Sequence, residues 1–226
     1  MRLLLIRHGQ TPANVRGELA TARPGPGLTP LGEEQAAAIP DAVAGERIAA
    51  IYVSALTRTW ATAAPLARAI GLEPVVREGL EEIEAGDLED RNDMPSVMAY
   101  VQPAFGWARG ELDARIPGSI DGHEFFARFD AAIDAIAARH PDDTVVVVSH
   151  GAAIRVWTAS RAMNLHADSH HIRHLDNTGV VVLNGSPADG WVAETWAGQP
   201  IGGDALADPA AADPTGDADP TGDADA

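Results

Sequence analysis

The chain has 226 residues, room for one domain with a sizeable core, and a formal charge of −17, which argues against a nucleic-acid partner because phosphate backbones select basic surfaces. It has no cysteine, which excludes disulfides, thiolate metal sites and cysteine nucleophiles and suits a reducing compartment. The first apolar run, 3–6, is shorter than the roughly 7–15 residues of a signal-peptide core, and no run approaches the roughly 18–20 of a membrane span, so a cytoplasmic protein with no membrane partner is expected.

Taken in chain order, 3–6 is a continuous apolar run of the kind found in strands covered on both faces, and it leads into Arg7-His8-Gly9. Thr29 as N-cap and Pro30 at the first position open a helix over about 30–43. A second strand, 50–53, leads into Ser54-Ala55-Leu56-Thr57-Arg58, and a helix over 56–70 stops at Gly71. The stretch 84–121, with Pro95, Pro103, Gly106, Gly110 and Pro117, breaks the rhythm and reads as a small helical cap insertion. A helix over 122–139, a strand over 144–149, His150-Gly151 and a helix over 152–163 follow. Two last strands, 179–183 and 191–196, pair across a turn and make an antiparallel edge. The alternation predicts a three-layer α/β/α domain over 1–200 with a mainly parallel sheet and right-handed crossovers.

The end of the chain has a different character. Seven aspartates and no base fall in 204–226, and Asp213-Pro-Thr-Gly-Asp-Ala218 recurs as Asp219-Pro-Thr-Gly-Asp-Ala224. Without aromatic residues this stretch has little apolar surface to offset its ordering entropy, so 203–226 reads as a disordered acidic tail.

In sheets of this kind ligands sit outside the carboxyl ends of the strands. Arg7-His8-Gly9, Ser54 to Arg58 and His150-Gly151 all follow strands, so they leave one edge together. Each alone is an ordinary feature: a salt-bridged Arg-His pair, a surface arginine in a first helical turn, a strand-to-helix turn. Their convergence is the signal. A phosphate monoester needs positive charge around its oxygens, an in-line nucleophile and a proton for the leaving group. Arg7 and Arg58 can fork onto phosphate oxygens, His8 can attack phosphorus, and a protonated His150 would add a third donor. Backbone N–H groups of a helix starting near Gly151 would favour the same anion.

Arg7-His8-Gly9-Gln10-Thr11 resembles the signature of the histidine phosphatase superfamily, which includes cofactor-dependent phosphoglycerate mutases. The resemblance continues through Asn14, through Leu28-Thr29-Pro30-Leu31-Gly32-Glu33-Glu34-Gln35-Ala36, and through Ser54 to Arg58 with Ala61-Thr62-Ala63. It runs on through 80–89, Val147-Val148-Ser149-His150-Gly151 and Asn177-Thr178, covering about 1–197. It implies that His8 is the nucleophile, that Arg7, Arg58 and His150 neutralise the phosphoryl group, and that Glu82 is the proton donor and acceptor. Asn14 and Thr11 would be lesser phosphate contacts, and no cofactor or metal is implied. Glu81, Glu84 and Glu89 compete with Glu82 on composition; only the spacing of Leu80, Glu82 and Gly86 selects it.

The sequence departs from the family pattern in three places: Gly118-Ser119-Ile120-Asp121-Gly122-His123-Glu124 replaces a Gly-Glu-Ser, Asp90 replaces a common glycine, and 21–27 replaces a Gln-Gly loop. His123 and Glu124 are the candidates for substrate selectivity.

The reading is a phosphatase acting on a small phosphorylated metabolite. A phosphoglycerate mutase-type isomerase is the alternative, disfavoured because 84–121 holds only Arg91, Arg109 and Arg115 against eight acids. A catalytically silent scaffold on the same fold is a third reading, set against the presence of His8, Arg58, Glu82 and His150 together. His166, His170, His171 and His174 invite a metal site, but without a cysteine or placed acid they read as solvated or rim histidines. A homodimer through the edge strand near 191–196 is the one quaternary arrangement the pattern offers.

Overall fold

The fold is that of a computed structural model, which describes residues 1–165, 173–211 and 214–215. Its sheet has strands β1 (Arg2–Arg7), β2 (Ile48–Val53), β3 (Val75–Val76), β4 (Thr144–Ser149), β5 (Val180–Ser186) and β6 (Gly190–Ala197), in the order β3-β2-β4-β1-β5-β6. The first four run parallel; β5 is antiparallel to both β1 and β6, which gives the expected antiparallel edge.

Alternation along the central strands feeds two cores. Leu3, Leu5, Val145, Val147, Val181 and Leu183 face helices α4 (Met94–Ala108), α5 (Gly122–Arg139) and α6 (Gly151–Arg161). Leu4, Ile6, Ile51, Val53, Val146 and Val148 face α2 (Pro30–Ala42) and α3 (Thr57–Ile70). Both faces being covered is why these strands are apolar throughout. Trp107, Phe125, Phe129 and Trp157 belong to the first core. Trp107 stacks on Phe125 at 5.7 Å between ring centroids, and Phe129 meets Trp157 at 5.5 Å.

Local signals set the helix ends. Thr29 accepts from the Gly32 N–H at 3.0 Å, and Asp121 with Glu124 forms a capping box at the start of α5. Helix α3 ends at Gly71 in the left-handed region, φ 71°. The expected boundaries at 30–43, 56–70 and 152–163 shift by one or two residues, as fraying ends do. The 84–121 stretch holds a 3-10 turn at Gly86–Leu88 and α4, which packs on α6. Helix α1 (Pro12–Arg16) and β3 had no counterpart in the sequence reading, because five and two residues are too few to show a period.

The larger departure concerns the end of the chain. Residues 204–206 form a 3-10 turn, and Leu206, Asp208 and Thr215 bond to the body, so these described residues of the 203–226 stretch are held by polar capture. Residues 212–213 and 216–226, which complete the acidic repeats, lie outside the described residues.

Candidate active site

Strand geometry brings the chemistry-bearing residues to one edge. At the end of β1, the His8 N–H donates to the Ser149 carbonyl at 3.0 Å and the Arg7 N–H to the Gly179 carbonyl at 3.0 Å. The next turn is clamped from the opposite helical layer: the Gly9 N–H donates to Thr62 Oγ1 (2.9 Å) and the Gln10 N–H to Gln35 Oε1 (2.8 Å). The fit requires glycine, since a Cβ on Gly9 would lie 2.6 Å from the Gly32 carbonyl oxygen. Arg7, His8, Arg58, Glu82 and His150 are all buried within this edge.

The hydrogen bonds fix the state of His8. Its Nδ1 lies 2.8 Å from the Gly9 carbonyl oxygen, which can only accept, so in the neutral ring Nδ1 carries the hydrogen and Nε2 keeps its lone pair. Burial, then Arg58 and Arg7, hold the ring well below the usual histidine pKa, so it stays neutral. Arg7 donates from Nη1 to the Leu175 carbonyl at 2.7 Å and from Nη2 to Thr215 Oγ1 at 3.0 Å. Arg58 is lowered by burial to about 10, which leaves it cationic, and among the described residues its buried Nη1 has no hydrogen-bond partner.

His150, a third donor only if protonated, is neutral here. Burial, Arg58 and His8 hold it well below the usual value. Its Nδ1 accepts from Arg58 Nε at 3.2 Å, so its Nε2 carries the hydrogen and donates to Ser54 Oγ at 2.8 Å. The rings of His8 and His150 meet edge-on, 5.2 Å apart. The helix N-terminus that was expected to face the anion is also differently used. The Ala152 and Ala153 N–H groups donate to Glu82, at 3.2 and 2.8 Å.

Glu82 is raised by burial, against the lowering effect of the Ile83 and Ala153 N–H groups, Arg58 and the Ala152 N–H. Its rivals are engaged elsewhere. Glu81 pairs with Arg23 and accepts from the Gly79 N–H, Glu84 pairs with Arg128, and Glu89 accepts from the Thr21 and Ala22 N–H groups. The Glu82 segment is held by its backbone. Arg128 on α5 donates to the carbonyls of Gly79, Glu81 and Glu82 at 2.7–3.0 Å, Ser149 Oγ to that of Leu80, and Tyr100 to that of Ile83.

Other expected site residues are placed differently. The Thr11 hydroxyl donates to Asn14 Oδ1 and accepts from the Asn14 N–H, which caps α1 and leaves it no spare hydrogen for a phosphate. Asn14 Oδ1 also accepts from the Thr11 N–H and from Asn177 Nδ2. Gly151 lies against Arg7, where a Cβ would sit 2.9 Å from Nε. His123 pairs with Asp113, and Glu124 caps α5 and pairs with Arg115, so both serve a polar cluster at the start of that helix rather than the strand ends. Of the candidate metal ligands, His174 pairs with Asp176 at 2.8 Å, and His166, His170 and His171 lie outside the described residues. Sequence reasoning missed Ser54, Arg128 and Arg155 as supports; only the position of Ser54 at a strand end was a signal.

The family model of the histidine phosphatase superfamily (branch 1) matches residues 3–198. The PE-PGRS family protein PE_PGRS11 of Mycobacterium tuberculosis (strain ATCC 25618 / H37Rv) is 38% identical over 212 residues, covering 87% of this chain and 36% of that relative, so the chain spans only about a third of it. "Probable phosphoglycerate mutase GpmB" of Cronobacter sakazakii (strain ATCC BAA-894) is 30% identical over 203 residues, covering 86% of this chain and 92% of its own. Among solved structures, a mycobacterial glucosyl-3-phosphoglycerate phosphatase in complex with VO3 is 25% identical with a TM-score of 0.72, covering 88% of this chain and 99% of that one. The chain belongs to the histidine phosphatase superfamily, branch 1.

Proposed function

We propose that the protein is a phosphatase that hydrolyses the phosphate monoester of a small metabolite through a phosphohistidine on His8. The observation that carries this reading is the tautomer of His8: the Gly9 carbonyl takes the Nδ1 hydrogen, leaving the Nε2 lone pair beside two cationic guanidinium groups.

In the first step Nε2 bonds to phosphorus while the ester P–O bond breaks, and the Glu82 carboxyl gives its proton to the leaving oxygen. Of its oxygens, Oε1 accepts from Ile83 and Ala153 at 2.9 and 2.8 Å, whereas Oε2 accepts a single longer bond at 3.2 Å, so Oε2 is the better seat for the proton. In the second step the Glu82 carboxylate takes a proton from water as it attacks phosphorus, and the N–P bond breaks. Arg7 and Arg58 spread positive charge over the phosphoryl oxygens. A bound dianion would draw the Arg58 Nε–H from His150 and raise the pKa of that ring, making it the third donor. Asn14 would touch the phosphate through its amide nitrogen, and no step uses a metal.

Hydrolysis is favoured over isomerisation because each arginine of 84–121 is already paired: Arg91 with Asp93, Arg109 with Glu111, and Arg115 with Asp121 and Glu124, all within 3.3 Å. A second anionic group on the substrate would find little free positive charge there. A screen of phosphorylated metabolites with EDTA present, reading free phosphate, tests the proposal, with 3-phosphoglycerate as one member. Release of phosphate is expected; isomerisation of 3-phosphoglycerate without release, or loss of activity to EDTA that zinc restores, would refute it.

A further inference from the structure

We infer that the chain's own C-terminal segment docks across the anion site and competes with the substrate phosphate. The inference rests on the reading of this edge as a phosphate site. The segment is anchored where it leaves the body: Ile201 is buried with the core under α2 and α3, and its N–H donates to the Thr178 carbonyl at 3.3 Å. From there its contacts run in order toward the nucleophile. The Leu206 carbonyl accepts from Gln35 Nε2 at 2.8 Å, and Asp208 accepts from Gln10 Nε2 at 2.8 Å. Thr215 then accepts through Oγ1 from Arg7 Nη2 at 3.0 Å and through its carbonyl from Arg155 Nη1 at 2.8 Å.

Gln10 and Arg7 flank His8 in the chain, so the last contacts straddle the nucleophile. Thr215 also presses on Gly151: a Cβ there would lie 2.6 Å from the Thr215 carbonyl oxygen. The Thr215 hydroxyl therefore takes a guanidinium hydrogen that a phosphoryl oxygen would need. Arg155 secures the carbonyl from below, fully buried, with its guanidinium 4.7 Å over the Phe105 ring and Nε on the Arg173 carbonyl. Tethering sets the strength of this competition, because a short linker presents its end at an effective concentration on the order of millimolar. The Thr215 hydroxyl is a neutral acceptor, whereas a phosphate dianion offers several charged ones, so substrate displaces the segment once bound. The segment thus raises KM and leaves kcat nearly unchanged.

The test is calorimetric titration of inorganic phosphate into the full chain, a chain ending at Gly203, and a full-length chain carrying Asp208→Ala and Thr215→Ala. If the segment is docked about nine-tenths of the time, the shortened chain binds phosphate about tenfold tighter. The substituted chain is expected to bind at least about threefold tighter, and it keeps the test decisive should the shortened chain fail to fold. Phosphate affinities equal within twofold in the full and substituted chains would overturn the docking while leaving the anion site intact. No phosphate binding by any of them would overturn the anion site, and the inference with it.

Discussion

Replacing Glu82 by Gln isolates its proton from its packing. Gln keeps the shape and the Oε1 bonds to the Ile83 and Ala153 N–H groups, but its amide nitrogen then faces the Ala152 N–H, donor against donor. Losing that one long bond in a buried site costs about 1–2 kcal/mol of stability, which a folded domain tolerates. Catalysis suffers more. A positioned general acid contributes about 10²–10⁴-fold, or roughly 3–5 kcal/mol of barrier, and the amide has no transferable proton. The loss should depend on the leaving group. With an alkyl phosphate, whose alkoxide needs the proton, kcat/KM should fall by that full factor; with p-nitrophenyl phosphate, whose phenolate departs without one, it should fall far less. Urea unfolding run alongside separates stability from chemistry. An equal loss on both substrates, or none on either, would refute Glu82 as the acid.

Arg128→Met removes the donors to three backbone carbonyls behind Glu82; stability should fall by about 2–4 kcal/mol and kcat by roughly 10- to 100-fold as the carboxyl loses its position, read by urea unfolding and steady-state kinetics. Asp90 sits at φ 60°, the left-handed region, so Asp90→Val should cost about 1–2 kcal/mol in thermal unfolding while Asp90→Gly costs none. His8 and His150 both have lowered values in the folded chain, so between their folded pKa and the ordinary 6.5 the unfolded chain binds more protons; stability should be full above about 6.5 and fall as the pH drops below it. Glu82, raised when folded, opposes this with at most one proton, leaving a net slope of roughly 1 kcal/mol per pH unit that is measured by denaturation at successive pH values.

The sheet and its site edge were legible because continuous apolar runs such as 144–149 end in polar residues, and both facts follow from burial on two faces. Arg7, His8, Arg58 and His150 gather at the strand ends as their places in the chain imply, while Glu82 was expected near them from the resemblance alone. The supports were not legible. Arg128 reaches the Glu82 carbonyl from helix α5, 46 residues away, and Asn177 reaches the His8 carbonyl only because β5 runs antiparallel and starts at this edge. The charge of His150 was not legible for a related reason: a sequence shows a histidine but not its burial beside Arg58. Thr11 was expected as a phosphate contact from the resemblance alone, and no sequence pattern showed that its hydroxyl hydrogen goes to Asn14 Oδ1 in the α1 cap. The C-terminal segment read as featureless because composition registers apolar surface and overlooks an arginine waiting for a carbonyl.

The most direct measurement is mass spectrometry of the chain mixed with substrate and quenched within milliseconds, with peptides mapped at alkaline pH to preserve a phosphoramidate. A phosphoryl group on the peptide carrying His8, formed and lost at rates matching turnover and missing in His8→Ala together with all activity, is the predicted result. A His8→Ala chain that still turns over, or phosphate carried on another side chain, would contradict it.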